Sequence, residues 1–177
     1  MPDTNFNPFP VLKTERLILR QLLITDDTEI FALRSDEQVN KYLNRQPSKT
    51  IEDAQAFIRA INENAIRNDS IYWAITLEGK LIGTICLFDF SNDHSNAEIG
   101  YELLPFYQRQ GLMQEAILKV LEFGFEHIGL QFITAITDPE NEHSTRLLEK
   151  FNFKKQLKAG DDFDKTVIVY KLSKKLI

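Results

Sequence analysis

The amino-acid sequence predicts a single-domain α+β fold, a mixed and mostly antiparallel sheet flanked by helices, and three observations predict it. Tyr72–Leu77 and Lys80–Phe90 are apolar, β-rich runs separated by Glu78-Gly79, the pattern of a hairpin. Ala97, Ile99, Tyr101 and Leu103 alternate with Glu98, Gly100 and Glu102, so a third strand turns one face to the core and the other to polar chemistry. A helical pattern of Leu112, Met113, Ala116, Ile117, Val120 and Leu121 then separates that strand from Phe132–Thr137. A connection through a helix sets the two strands parallel, which makes the sheet mixed.

The remaining elements follow in chain order. Residues 1–13, rich in Pro and Phe and without periodicity, read as an extended N-terminal arm, and residues 14–177 as one domain, because a chain of 177 residues suits one sizeable core and not two. Arg16–Arg20 alternates as a first strand, and Thr25, Asp26 and Asp27 open a helix through Arg34. A short turn or helix follows between Asp36 and Leu43. Thr50 with Asp53 three places on forms a helix start, and Ala54, Phe57, Ile58, Ile61 and Ala65 form the apolar face of a helix ending near Asn68. Gly129 ends the later helix. Asp138–Asn141 is a loop, Ser144–Phe151 is a helix with Leu147 and Leu148 inward, and Asn152 is a left-handed cap. Phe153–Leu157 and Val167–Leu172 close the chain as two strands, joined by an acidic loop around Asp161, Asp162 and Asp164.

Composition narrows the function classes. Hydrophobic residues at 43% and charged residues at 27% suit a globular domain, and a net charge of −5 provides no basic footprint, so no nucleic-acid partner is expected. Cys86, the only cysteine, sits in an apolar run and reads as a small buried hydrophobe. No stretch approaches the roughly 20 apolar residues of a membrane span and the N-terminus lacks signal-peptide character, so no membrane association and a cytoplasmic location are expected. His94, His127 and His143 are widely spaced without cysteine or carboxylate at ligand spacing, and no metal site is expected. An exposed strand near the C-terminus leaves a homodimer open.

One segment points to chemistry directly. After Pro105, which cannot donate to a sheet ladder, Gln108-Arg109-Gln110-Gly111 runs into the helical pattern at Leu112. A helix start carries unpaired N–H groups and about half a positive charge, Gly111 lacks a side chain that would keep a phosphate away, and Arg109 adds a full charge. The segment therefore reads as an anion site.

Thr14–Arg20, Glu98–Leu103, Gln108–Gly111 with Leu112 and Met113, and Asn141–Ser144 through Glu149–Phe153 occur in an order that resembles the GNAT N-acetyltransferases, specifically the ribosomal-protein N-terminal acetyltransferase (RimJ/RimL-type) branch. The resemblance covers Thr14 to Leu157. It implies an acetyltransferase domain that moves an acetyl group from acetyl-CoA to a primary amine, a protein N-terminus or a small-molecule amine, by direct attack. The same resemblance lays the pyrophosphate against Gln108, Arg109, Gln110, Gly111, Leu112, Met113 and Gln114, and pairs the pantetheine arm with Leu103 and Leu104, with Asn141 on the arm's other side. Glu98 takes the position of the base, acting through water, with Glu102 or water alone as the alternatives; Ser144 takes the thiolate side. Three residues depart from the family pattern: Met113 and Asn152 stand where Gly or a small residue is usual, and Leu148 stands where many relatives carry a general-acid tyrosine. Tyr42, Trp73, Phe88 and Asp89 could border the acceptor groove. A reading from another class, a catalytically silent acyl-CoA-binding or sensing module, would keep the loop and lack an effective base.

Overall fold

Two short strands open the computed structural model, which describes residues 4–156 and 167–176: β1 (Leu12–Lys13) and β2 (Leu17–Arg20). A 3-10 turn at Ile24–Asp26 leads into α1 (Asp27–Ser35), the four-residue α2 (Glu37–Asn40) and α3 (Ile51–Ile66). The hairpin follows as β3 (Ile71–Leu77) and β4 (Lys80–Phe88), then β5 (Asn96–Leu103) and α4 (Leu112–Glu122), which a π-helical turn at Phe123–Ile128 prolongs. The chain ends with β6 (Phe132–Thr137), α5 (Glu142–Lys150), β7 (Lys154–Lys155) and β8 (Ile168–Ser173).

Sequence rules account for the boundaries. The Thr50 side chain accepts from the Asp53 amide while the Asp53 carboxylate accepts from the Thr50 amide, a reciprocal box at the start of α3. Gly129 at φ 85° and Asn152 at φ 62° supply the left-handed caps expected of them. α5 begins two residues earlier than the sequence suggests, because Asn141 and not Ser144 caps it: the Asn141 side chain accepts from the Ser144 amide.

The strands form one eight-stranded sheet in the order β1-β2-β3-β4-β5-β6-β8-β7, antiparallel except between β5 and β6. Part of the segment expected as an arm joins this sheet: Leu12 pairs with Leu19, Phe6 is buried, and the Trp73 indole donates to the Pro10 carbonyl at 2.8 Å. The acidic loop around Asp161, Asp162 and Asp164 lies outside the described residues. On one face of the sheet α4 packs Leu112, Ala116, Ile117, Val120 and Leu121 against Trp73, Ile75, Ile85 and Ile99 in the larger core. On the other, Ile30 of α1 and Ala54, Ile58 and Ile61 of α3 pack against Ala74 and Leu81. The two faces keep one sheet buried from both sides while its middle carries the polar residues of the site.

Candidate active site

The segment expected to hold an anion forms the left-handed turn that starts α4. Arg109 and Gly111 adopt φ of 62° and 76°, and the first i to i−4 bond of the helix is made by the Glu115 amide to the Gly111 carbonyl. The amides of Leu112, Met113 and Gln114 precede that bond and project from the helix start without an intrahelical acceptor. A Cβ on Gly111 would meet only Arg16 Nη2 at 3.4 Å, so the backbone conformation rather than crowding calls for glycine.

Glu115 locks this turn to the first strands. Its carboxylate accepts from the Thr14 hydroxyl, from the Arg16 amide at 2.7 Å and from Arg16 Nε at 2.8 Å, while Arg16 Nη1 donates to the Gln110 carbonyl at 3.1 Å. Burial pushes the Glu115 carboxyl up, but these bonds outweigh it and hold the group below its ordinary value. The Thr14-Glu15-Arg16 motif is thus a brace for the anion loop.

Beside the loop the sheet opens. β5 and β6 pair only at Asn96 with Phe132, Ala97 with Ile133 and Glu98 with Thr134, whereas β5 stays paired with β4 as far as Leu103. From Ile99 onward the β6-side edge of β5 therefore borders a gap. A cleft of about 610 Å³ fills it, lined by Tyr101, Glu102, Leu103, Gln108, Arg109, Gly111, Leu112, Met113 and Gln114 on one wall and by Asn141, His143, Ser144, Leu147 and Lys150 on the other. Arg109 Nη2 and His143 Nε2 meet across its mouth at 3.2 Å.

Three expected residues sit off this lining. The Leu104 amide, expected to pair with the arm, donates to the Ile82 carbonyl at 2.9 Å because β5 is still laddered to β4 there. Gln110 turns its side chain to the Phe106 carbonyl at 2.9 Å. Glu98 stands at the apex where the two strands part, on the same sheet face as Phe88. Its carboxyl is pushed up to about 7 by burial and then by the nearby Asp89 charge.

Glu102 lines the cleft but is not free. Arg45 Nη1 donates to its carboxylate at 2.7 Å; burial raises the group, with the Arg45 and Arg34 guanidiniums opposing. Of the two carboxylates, roughly 13 Å apart along a regular strand, only Glu98 lacks a cationic partner among the described residues.

Tyr101 is the cleft residue that sequence patterning missed. It alternates with Ala97, Ile99 and Leu103 and was expected as core, yet its hydroxyl lies 2.9 Å from Ser144 Oγ inside the cleft. Burial pushes the phenol up to about 12. The signal was present in the residue type, since a buried Tyr hydroxyl demands a polar partner. Among the groove candidates Tyr42 does line the cleft, whereas Trp73 is fully buried in the larger core, edge-on to Phe123 at 5.5 Å between centroids. Leu148, at the position of a tyrosine in many relatives, is buried in the larger core and carries no proton.

Residues 16–154, from the Arg16 brace to the far edge of the sheet, match the family described as the acetyltransferase (GNAT) domain. The chain belongs to the GNAT acetyltransferase family. Over 150 residues this GNAT chain is 39% identical to the uncharacterised N-acetyltransferase YoaA of Bacillus subtilis, covering 84% of this chain and 85% of that one. A crystal structure of a GNAT-family acetyltransferase from Bacillus anthracis superposes with a TM-score of 0.78 at 26% identity, over 94% of this chain and 99% of that one. RimL, a ribosomal alpha-N-protein acetyltransferase solved with coenzyme A, shares the fold at a TM-score of 0.81 and 14% identity, over 93% and 98% of the two chains. This GNAT enzyme has, among its described residues, no cluster of His, Cys, Asp and Glu able to hold a metal ion, and none of its described helices is long and apolar enough to cross a membrane.

Proposed function

We propose that this enzyme transfers the acetyl group of acetyl-CoA to a primary amine by direct attack. The observation that carries the reading is the parting of β5 from β6 at Glu98, beside the unpaired amides that follow Gly111. An open strand edge suits the amide-bearing pantetheine arm, and the helix start with Arg109 suits its pyrophosphate. Acetyl-CoA supplies the acetyl group already activated as a thioester.

The chain's own residues supply the proton handling. Glu98 takes the proton that the amine loses as its nitrogen gains the acetyl group, through water because the carboxylate sits behind the cleft wall. A carboxylate poised near 7 is a better base than one at its ordinary value. Ser144 donates its hydroxyl proton to the departing thiolate, and Tyr101, 2.9 Å away, returns one to Ser144. The pair thus stands in for the tyrosine that Leu148 replaces. A poised base together with a hydroxyl pair favours turnover over a silent acyl-CoA-binding module.

The experiment is a panel of primary amines and N-terminal peptides with acetyl-CoA, read by release of free thiol. Thiol release with at least one class is expected. Glu98→Gln should keep acetyl-CoA binding and lose about a hundredfold in kcat. Full turnover of that variant across pH would remove Glu98 as the base.

A further inference from the structure

Behind the cleft wall formed by Glu102 lies a charge imbalance that acetyl transfer leaves unused. Register sets Tyr72, Cys86 and Gly100 side by side on one sheet face, with Thr84 and Glu102 one step along it and Phe88 and Glu98 one step the other way. The helical segment α1–α3 brings two arginines to this region. Arg45 donates from Nη1 to Glu102 and from Nε to Asn40 Oδ1, each at 2.7 Å, while its Nη2 is buried with no hydrogen-bond partner among the described residues. Arg34 lies over the Phe57 ring, 3.8 Å from the centroid, and its Nε is also buried and without a partner among the described residues. Burial first, then repulsion from Arg45, holds the Arg34 guanidinium below its ordinary value, against the pull of Glu102.

Among the described residues only Arg45 forms an ion pair with Glu102, and Arg34 feels that carboxylate only at longer range. Whichever protonation state Glu102 holds, at least one of the two positive charges has no ion-pair partner among the described residues, and covered N–H groups without acceptors are costly until something accepts from them. The planar fork of arginine matches a carboxylate better than any other side chain does. The stretch that joins the two arginines supplies Gln38, Val39, Lys41, Tyr42 and Leu43 to the cleft lining. Asn40 ties its ends together, donating to the Arg34 carbonyl at 2.9 Å and accepting from Arg45.

We infer that Arg34 and Arg45 form a carboxylate subsite, and that the acceptor is an amine bearing a carboxylate several bonds from its nitrogen. The inference rests on the transferase reading above and names its substrate class. With the amine near Glu98 and the carboxylate at the arginines, the acceptor spans the face between the two strand carboxylates. A free amino acid and a peptide N-terminus with an early acidic residue present the same chemistry.

Matched acceptors test it, read by thiol release: amino acids of graded length against their carboxamides, and peptides with Asp or Glu at the second position against the same peptides with Asn or Gln. The acids should exceed the amides about tenfold in kcat/KM, mainly through KM, and the arm with the larger ratio identifies the source. In Arg34→Gln the acid-to-amide ratio should fall toward one, and Arg34→Lys should restore only part of it, since an ammonium lacks the fork. Equal use of acid and amide by the wild-type protein overturns the subsite, whether or not any variant folds. Turnover of neutral amines without acid preference removes the subsite and leaves the transferase; no turnover of any acceptor, with acetyl-CoA bound, removes both.

Discussion

Glu98 joins pH dependence of activity to pH dependence of stability. Its folded value of about 7 lies above the roughly 4.3 of an unfolded glutamate, so the native state favours the protonated form. Activity should rise as pH passes through about 7, where the base becomes available, and kcat/KM against pH checks this. Stability should move the other way: the contribution of the neutral side chain is complete below about pH 4 and is lost as pH rises through 7. Glu98→Gln should therefore melt a few degrees above wild type at about pH 8.5 and show no such gain at about pH 4. The gap is of order 1 kcal/mol after discounting for the solvent that the half-buried group still meets. Cys86 behaves oppositely to a reactive thiol. Burial pushes it up to about 12, so a thiol reagent should label native protein far more slowly than unfolded protein. The same inertness keeps Cys86 from contaminating the thiol-release assay. Ser144→Ala and Tyr101→Phe should each lower kcat with little change in the KM for acetyl-CoA, and the double variant should do little more than either single one, because the hydroxyls act in series.

The helix start of α4 is where local geometry and ligand binding coincide. Gly111→Ala forces a side chain into the left-handed region, which costs about 1–2 kcal/mol, and should raise the KM for acetyl-CoA severalfold by shifting the amides that follow. Glu115→Gln or Arg16→Ala should raise the same KM while changing stability by about 1 kcal/mol or less, because the pair is partly exposed but fixes the loop. Much of this element was readable in advance: the apolar spacing from Leu112 to Leu121, the Gly111 turn and the Gly129 cap are local properties. Its brace was not, since Thr14 and Arg16 lie about a hundred positions from Glu115 and no periodicity links them. α5 shows the limit of local reading, where Asn141 and Ser144 are both acceptable caps. The Ser144 hydroxyl was released for the cleft because Asn141 took the capping role and Tyr101 lay within reach.

Across the whole molecule the decisive feature is a sheet held on both sides and open in the middle. Ladders from β1 to β5 and from β6 to β7 frame the gap, and the larger core draws side chains from both and from α4. Acetyl-CoA binding there should stabilise the fold through linkage: at a hundred times Kd the gain is about 2.7 kcal/mol. For a chain of this length that is roughly 5–10 °C in Tm. A thermal scan against acetyl-CoA concentration checks it, and on the proposed binding mode coenzyme A should give a similar shift, because it carries the same pyrophosphate and arm.

Alternation, helical spacing and turn residues are properties of neighbours along the chain, and from them came the strands, the helices, the parallel crossover and the anion turn at Gly111. Charge balance among distant residues is not such a property. That, among the described residues, Glu102 is tied to Arg45 while Glu98 stands without a cation, that Tyr101 meets Ser144, and that Arg34 and Arg45 retain unused donors were decided only when α1–α3, β5 and α5 were brought together in space. The field at a carboxylate depends on which groups surround it after folding, and residues 34, 45, 98, 101, 102 and 144 are brought to one region only by the packing of the sheet and its helices.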